Sequence, residues 1–97
     1  MIIELQVLPR PSGTDSDRHA NVEAAIAVLA SSGLEYEVGA LGTTIEGPPD
    51  AVWALLREAH EATLANGAEF VISMVKIAES AGDDGPTMGG LTAKFRS

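Results

Sequence analysis

Ninety-seven residues suffice for one domain with one hydrophobic core. Fourteen acidic against six basic residues give a formal net charge of −8. That disfavours nucleic-acid backbones, which need Lys and Arg to displace counterions, and suits cationic ligands or simple solubility. The lack of cysteine excludes disulfides, thiol chemistry, iron–sulfur clusters and Cys zinc sites, and no apolar run approaches the roughly 18 residues of a membrane helix.

Residues 2–9 read as a strand. Ile3, Leu5 and Val7 alternate with Glu4 and Gln6, the period of a half-buried strand, and Pro9 and Pro11 are expected to end it. Residues 9–17 are turn-rich, with Thr14, Asp15 and Ser16 as candidate helix caps. A helix to about Ser32 follows, because Val22, Ala25, Ile26 and Leu29 form one apolar stripe; Gly33 is its expected left-handed stop. Residues 34–38 and 41–46 alternate again, and Gly39-Ala40 between them predicts a tight antiparallel hairpin. Gly47-Pro48-Pro49-Asp50 breaks the pattern and opens a second helix, with Pro49 in the first turn and Val52, Leu55, Leu56 and Ala59 as its stripe; Asn66-Gly67 ends it.

Residues 70–77 form the last predicted strand. It is apolar on both faces apart from Ser73 and Lys76, although so short a chain has helices for one sheet face only. The second face is therefore expected to be covered by another subunit, in a tetramer or, failing that, a dimer. From Ala78 the composition turns loop-like. Met88, Leu91 and Phe95 could make a short amphipathic turn, but Gly89 and Gly90 each weaken a helix by about 1 kcal/mol relative to alanine. Residues 79–97 are thus expected to be a flexible tail that orders only against a partner, and residues 1–78 the folded domain. The order βαββαβ predicts an α+β, ferredoxin-like sandwich: a four-stranded antiparallel sheet with two helices on one face.

Signals for catalysis are weak. His19 and His60 lie on different helices without metal-ligand spacing and read best as solvated and boundary residues. Asp83-Asp84 in a glycine-rich loop reads as solvated charge rather than a metal site, and no serine sits in a G-x-S-x-G elbow. With no nucleophile–base pair to name, no enzyme activity and no cofactor are expected. The hairpin is more informative. If Tyr36, Val38, Thr43 and Ile45 face the helices, then Glu35, Glu37, Thr44 and Glu46 share the opposite face, joined by Glu4 and Gln6 from the first strand. Gly42 leaves space there for a flat ring. That face is either an ordinary wet surface or, with subunits closing over it, a polar, acidic pocket.

The segments Glu4-Leu5-Gln6-Val7-Leu8-Pro9, Gly33-Leu34-Glu35-Tyr36-Glu37-Val38-Gly39, Gly42-Thr43-Thr44-Ile45-Glu46-Gly47, Ala59-His60-Glu61 and Val75-Lys76-Ile77 occur in this order. Over residues 2–77 the chain resembles the small thiamine-binding proteins of the YkoF-like family, most specifically through the Tyr-Glu-Val and Gly-Thr-Thr-Ile-Glu-Gly block. The resemblance implies a ferredoxin-like fold assembled as dimers and tetramers, without catalysis. It implies binding of thiamine or its hydroxymethylpyrimidine half, in thiamine salvage or transport. The family's first-strand, hairpin and last-strand segments map onto Glu4, Gln6, Tyr36, Glu37, Gly42, Thr43, Thr44, Glu46, Ser73 and Lys76 as candidate ligand-binding residues. One departure is Ala78-Glu79-Ser80, where many members continue Lys-Ile with Asp-Asp-Arg.

The chemistry agrees. A carboxylate accepts from the exocyclic amine of the aminopyrimidine and pairs with a protonated ring nitrogen, a threonine hydroxyl donates to the other nitrogen, and an acidic pocket suits the thiazolium cation. Without a phosphate-binding glycine loop, unphosphorylated thiamine is expected over its diphosphate. The rival readings are an oligomeric structural or regulatory module that uses the same face only to assemble, and an enzyme of unknown reaction. Met1-Ile2-Ile3-Glu4 carries no basic leader before an apolar stretch, so no secretory signal, and hence a cytoplasmic location, is expected.

Overall fold

The structure is a computed structural model that describes residues 1–82 and 84–96; Asp83, read above as solvated charge, lies outside them. The elements follow the expected order: β1 (Ile2–Arg10), α1 (Ala20–Ala30), β2 (Glu35–Val38), β3 (Thr43–Glu46), α2 (Pro49–Ala65) and β4 (Phe70–Ala78), then a short α3 (Met88–Thr92) and a single 3₁₀ turn (Ala93–Phe95). The strands form one antiparallel sheet in the order β2-β3-β1-β4. It is the predicted α+β, ferredoxin-like arrangement, with a third helix in addition to the two expected.

The period-2 pattern decides which sheet face is buried. Ile3, Leu5 and Val7 of β1 meet Ile45 of β3, and α1 and α2 close over them with Ala25, Leu29, Val52, Leu55 and Ala59. Each helix stripe follows from the spacing of three and four residues that places these side chains on one side. The helices are also joined by polar groups: Asn66 Nδ2 donates to Asn21 Oδ1 at 2.9 Å, and Asn21 Nδ2 donates to the Pro11 carbonyl at 2.8 Å. Both helices end as read, α1 ahead of Gly33 at φ +79° and α2 at Asn66, with Gly67 at φ +125°. These are backbone angles that glycine adopts at little steric cost.

Three boundaries differ from the sequence reading. First, β1 runs through Pro9 to Arg10. The β3 partners stop at Leu5, whereas β4 pairs with all nine residues, so from Gln6 onward β1 is single-sided and accommodates a proline. Second, α1 begins at Ala20, not near Thr14. Residues 12–19 make a compact turn instead, in which the Asp17 carbonyl accepts from the N–H groups of Thr14 and Ala20, and Ser12 Oγ donates to the Arg18 carbonyl. Third, the hairpin has a four-residue connection. Val38 pairs with Thr43, Gly39 N–H donates to the Gly42 carbonyl at 2.8 Å, and Leu41 projects from the tip, 80% exposed.

The other sheet face carries Glu4, Gln6, Leu8, Glu35, Glu37, Thr44, Glu46, Phe70, Ile72, Met74 and Lys76, as alternation and register require. It is divided in two. The β1–β4 side is apolar and open, with Leu8, Phe70, Ile72 and Met74 exposed. The β2–β3 side is overlain by α3 and the turn after it, where a tail had been expected to order only against a partner. Thr87 Oγ1 caps α3 by accepting from Gly90 N–H at 2.9 Å. Met88 is buried against the chain's own sheet, while Leu91 and Phe95 point to solvent.

Candidate functional site

The residues singled out from the sequence fall on two sides of the sheet. Glu4, Glu37, Gly42 and Thr44 come together on the open face. With Gly39, Met88, Thr92 and Arg96 they line a cavity of about 240 Å³. Register causes this convergence: Glu4 stands opposite Thr44 across β1–β3, and Glu37 stands opposite the same Thr44 across β2–β3. Thr44 is thus flanked by two carboxylates, an arrangement that strand alternation alone produces. A Cβ at Gly42 would lie 3.2 Å from the Leu5 carbonyl oxygen and 3.3 Å from Glu4 Cγ, so glycine is what lets the hairpin approach β1 here.

Three carboxylates of this face, those of Glu4, Glu37 and Glu46, have partners within the chain. Lys76 Nζ stands 3.7 Å from Glu4 Oε1, both side chains being well exposed. The Arg96 guanidinium is bonded to Glu37 Oε1. Met88 N–H donates to Glu46 Oε1 at 2.6 Å, and Thr92 Oγ1 donates to the Met88 carbonyl at 2.7 Å. Glu46 itself lies one step along the strand, in the wall of a larger hollow of about 420 Å³ with Met1, Gly47, Pro48, Pro49 and residues 78–82. Gln6 shares the open face but not the pocket lining.

Tyr36, Thr43 and Ser73 occupy the helix side. Tyr36 is half-exposed opposite Ile45, and Thr43 is buried. Thr43 lines a separate cleft of about 150 Å³ between α1 and the hairpin, together with Leu5, Val22, Ile26, Leu29 and Leu41. Ser73 shares a hydrogen bond with His60 Nδ1, across a shallow groove also lined by Trp53, Leu56, Arg57 and Val75. These three residues are therefore separated by the sheet from the acidic group.

Other ionic clusters lie apart from the pocket. On α2, Arg57 Nε donates to Glu61 Oε1 at 2.8 Å; this bond and the attraction of opposite charges lower the Glu61 pKa and raise that of Arg57. Near the start of α1, Glu23 is pushed up by a side-chain hydrogen bond with Asp17 and by the like charge of that carboxylate. Among the described residues no group of three or more His, Asp or Glu side chains is placed to hold a metal ion.

Met88, Thr92 and Arg96 are pocket residues that the sequence did not single out. The local signals were the short amphipathic spacing of Met88, Leu91 and Phe95, read as a turn and not as a pocket wall, and a basic residue, Arg96, in a strongly acidic chain. The arrangement is chemically suited to a compact cationic or amidine-like group. Two carboxylates supply acceptors with a threonine hydroxyl between them, and one neighbouring side chain, Arg96, already shows how a planar donor array seats on Glu37.

Comparisons with known proteins agree with this architecture. A UPF0045 protein of Clostridium perfringens is 36% identical over 94 residues, covering 97% of this chain and 95% of that one. A UPF0045 protein of Methanocaldococcus jannaschii is 32% identical over 79 residues, covering 81% and 76%. Among solved structures, a domain of unknown function (DUF77) from Bacillus cereus superimposes with a TM-score of 0.86 at 34% identity, over 98% of this chain and 88% of that one. A candidate thiamine biosynthesis/salvage protein from Thermotoga maritima gives 0.81 at 26% identity, over 98% and 97%. A family model described as thiamine-binding protein matches residues 3–96, α3 and the final turn included, and the chain belongs to that family.

Proposed function

We propose that the protein binds thiamine, or its hydroxymethylpyrimidine half, without chemically changing it, and that it serves thiamine salvage or transport. The observation that carries this reading is the convergence of Glu4, Glu37 and Thr44 around Gly42 in one open-face cavity, in a chain of the thiamine-binding family. The aminopyrimidine would donate its exocyclic N–H and protonated ring N–H to Glu37 and take the Thr44 hydroxyl on its remaining nitrogen. Glu4 would face the thiazolium. A diphosphate would meet two basic residues, Lys76 and Arg96, each already paired with a carboxylate. Unphosphorylated ligands therefore fit better. The bound state is read as a cytoplasmic homo-oligomer, a tetramer or failing that a dimer, with a second copy closing over the open face.

The test is calorimetric titration of thiamine, hydroxymethylpyrimidine and thiamine diphosphate against the wild type, Glu37→Gln and Thr44→Val. Losing one hydrogen bond to a buried ligand costs about 1–3 kcal/mol, so Thr44→Val should weaken thiamine roughly five- to a hundredfold. Glu37→Gln, which keeps the size but removes the charge, should cost at least as much. No heat and no thermal shift with millimolar thiamine would refute the reading, and undiminished binding by both variants would move the site to the helix-side cleft near Thr43. A second reading is favoured by Leu8, Phe70, Ile72 and Met74, which make half of the same face apolar: a module that uses this face to assemble and takes no small ligand. Assembly of the wild type without any thiamine binding would support it.

A further inference from the structure

Two carboxylates of the open face are held by the segment that follows β4. Met88 N–H reaches Glu46, the Arg96 guanidinium reaches Glu37, and Thr92 lies between them over the same cavity. The Met88 side chain anchors the segment on the sheet, whereas Leu91 and Phe95 remain largely exposed. Beyond Met88, then, the Arg96–Glu37 pair is what fixes the position of residues 93–96. A guanidinium presents parallel N–H donors and a delocalised positive charge to a carboxylate, and an aminopyrimidine protonated on the ring nitrogen beside its amine presents the same array. Both cannot occupy Glu37 at once.

We infer that residues 87–96 form a strap that competes with the ligand: Arg96 occupies Glu37 until a cationic, amidine-like ligand displaces it. This deepens the ligand reading of the acidic pocket and rests on it. Glu37 and Arg96 are 42% and 53% exposed, and pairs of that kind are weakly held, so the strap lowers affinity without blocking entry. Displacement frees residues 93–96 while Met88 stays seated, and Gly89 and Gly90 make the short helix between them easily rearranged.

The experiment compares thiamine titrations of the full chain, Arg96→Gln and Lys94→Gln at low salt, with amide hydrogen exchange across residues 87–96 before and after saturation. Lys94→Gln makes the same charge change two residues away and serves as the control. Arg96→Gln should bind thiamine about two- to fivefold more tightly than Lys94→Gln, as expected for removal of one exposed ion pair. Saturating thiamine should speed exchange in this segment of the wild type. Equal affinities in the two variants would overturn the competition while leaving the site intact. Weaker binding by Arg96→Gln, or slower exchange on saturation, would overturn it by making Arg96 part of the ligand's own wall. Thiamine binding by none of the three chains would instead bring down the ligand reading, and the competition with it.

Discussion

Lysine placed at Met74 and lysine placed at Val75 should have opposite consequences, although the two positions are neighbours in β4. Val75 packs half-buried against the core under α2, whereas Met74 is 57% exposed on the open face. Full burial of a valine contributes about 1.5–3 kcal/mol, so the half-buried Val75 contributes about 1 kcal/mol. An ammonium at that position would face Arg57 and His60 across the groove and lose part of its hydration. Together these terms give a loss of about 2–4 kcal/mol, a large share of the 5–15 kcal/mol typical of a small domain. Met74→Lys removes no core contact and should change the stability of a lone protomer by no more than about 0.5 kcal/mol. If a second copy covers the face, however, the new charge is buried there and the assembly dissociates. Urea unfolding at low and high protein concentration, with light scattering, separates the two effects, since only assembly makes stability depend on concentration. Equal destabilisation by both variants in the dilute limit would refute the assignment of faces. A wild type that scatters as a 10.0 kDa monomer at micromolar concentration would refute the covering copy.

Ile45 is fully buried between the sheet and the helices, so Ile45→Ala should lower stability by about 2–5 kcal/mol in the same urea assay. The lowered Glu61 pKa gives Arg57→Ala a pH signature. A carboxylate depressed in the folded state stabilises above its unfolded pKa and loses that contribution as pH falls through the folded value. The small stability difference between Arg57→Ala and wild type should therefore be present at neutral pH and vanish in acid. A difference that persisted in acid would show that Arg57 acts through packing instead.

The fold was legible wherever periodicity and burial coincide. The alternation of residues 3–7 and 43–46 and the two helix stripes give the sheet faces directly, because a one-residue slip would expose the core set. Leu41 misled because it continues the alternation, yet the ladder starts only at Thr43 and leaves it at the hairpin tip. The late start of α1 was hidden because the turn before it is closed by backbone and long-range bonds, such as Asn21 to Pro11, rather than by a capping side chain. At the site, alternation correctly placed Glu4, Glu37, Thr44 and Glu46 on one face. It could not show what meets them: the partners of Glu46 and Glu37 come from 42 and 59 residues further along the chain, and pairs so distant leave no local pattern.

The hairpin connection borders two compartments at once. Gly39 and Gly42 line the acidic pocket on one side of the sheet and the aliphatic cleft under α1 on the other, and only one thickness of backbone separates them. Sequence drift in the cleft is therefore not silent. A bulkier side chain at Ile26, acceptable on hydrophobic grounds alone, would press on residues 39–42 and shift Thr44 relative to Glu4 and Glu37. If the pocket holds a ligand as proposed, aliphatic packing and ligand preference change together within such a lineage, and relatives with the same carboxylates differ in what they bind because of residues that never touch it.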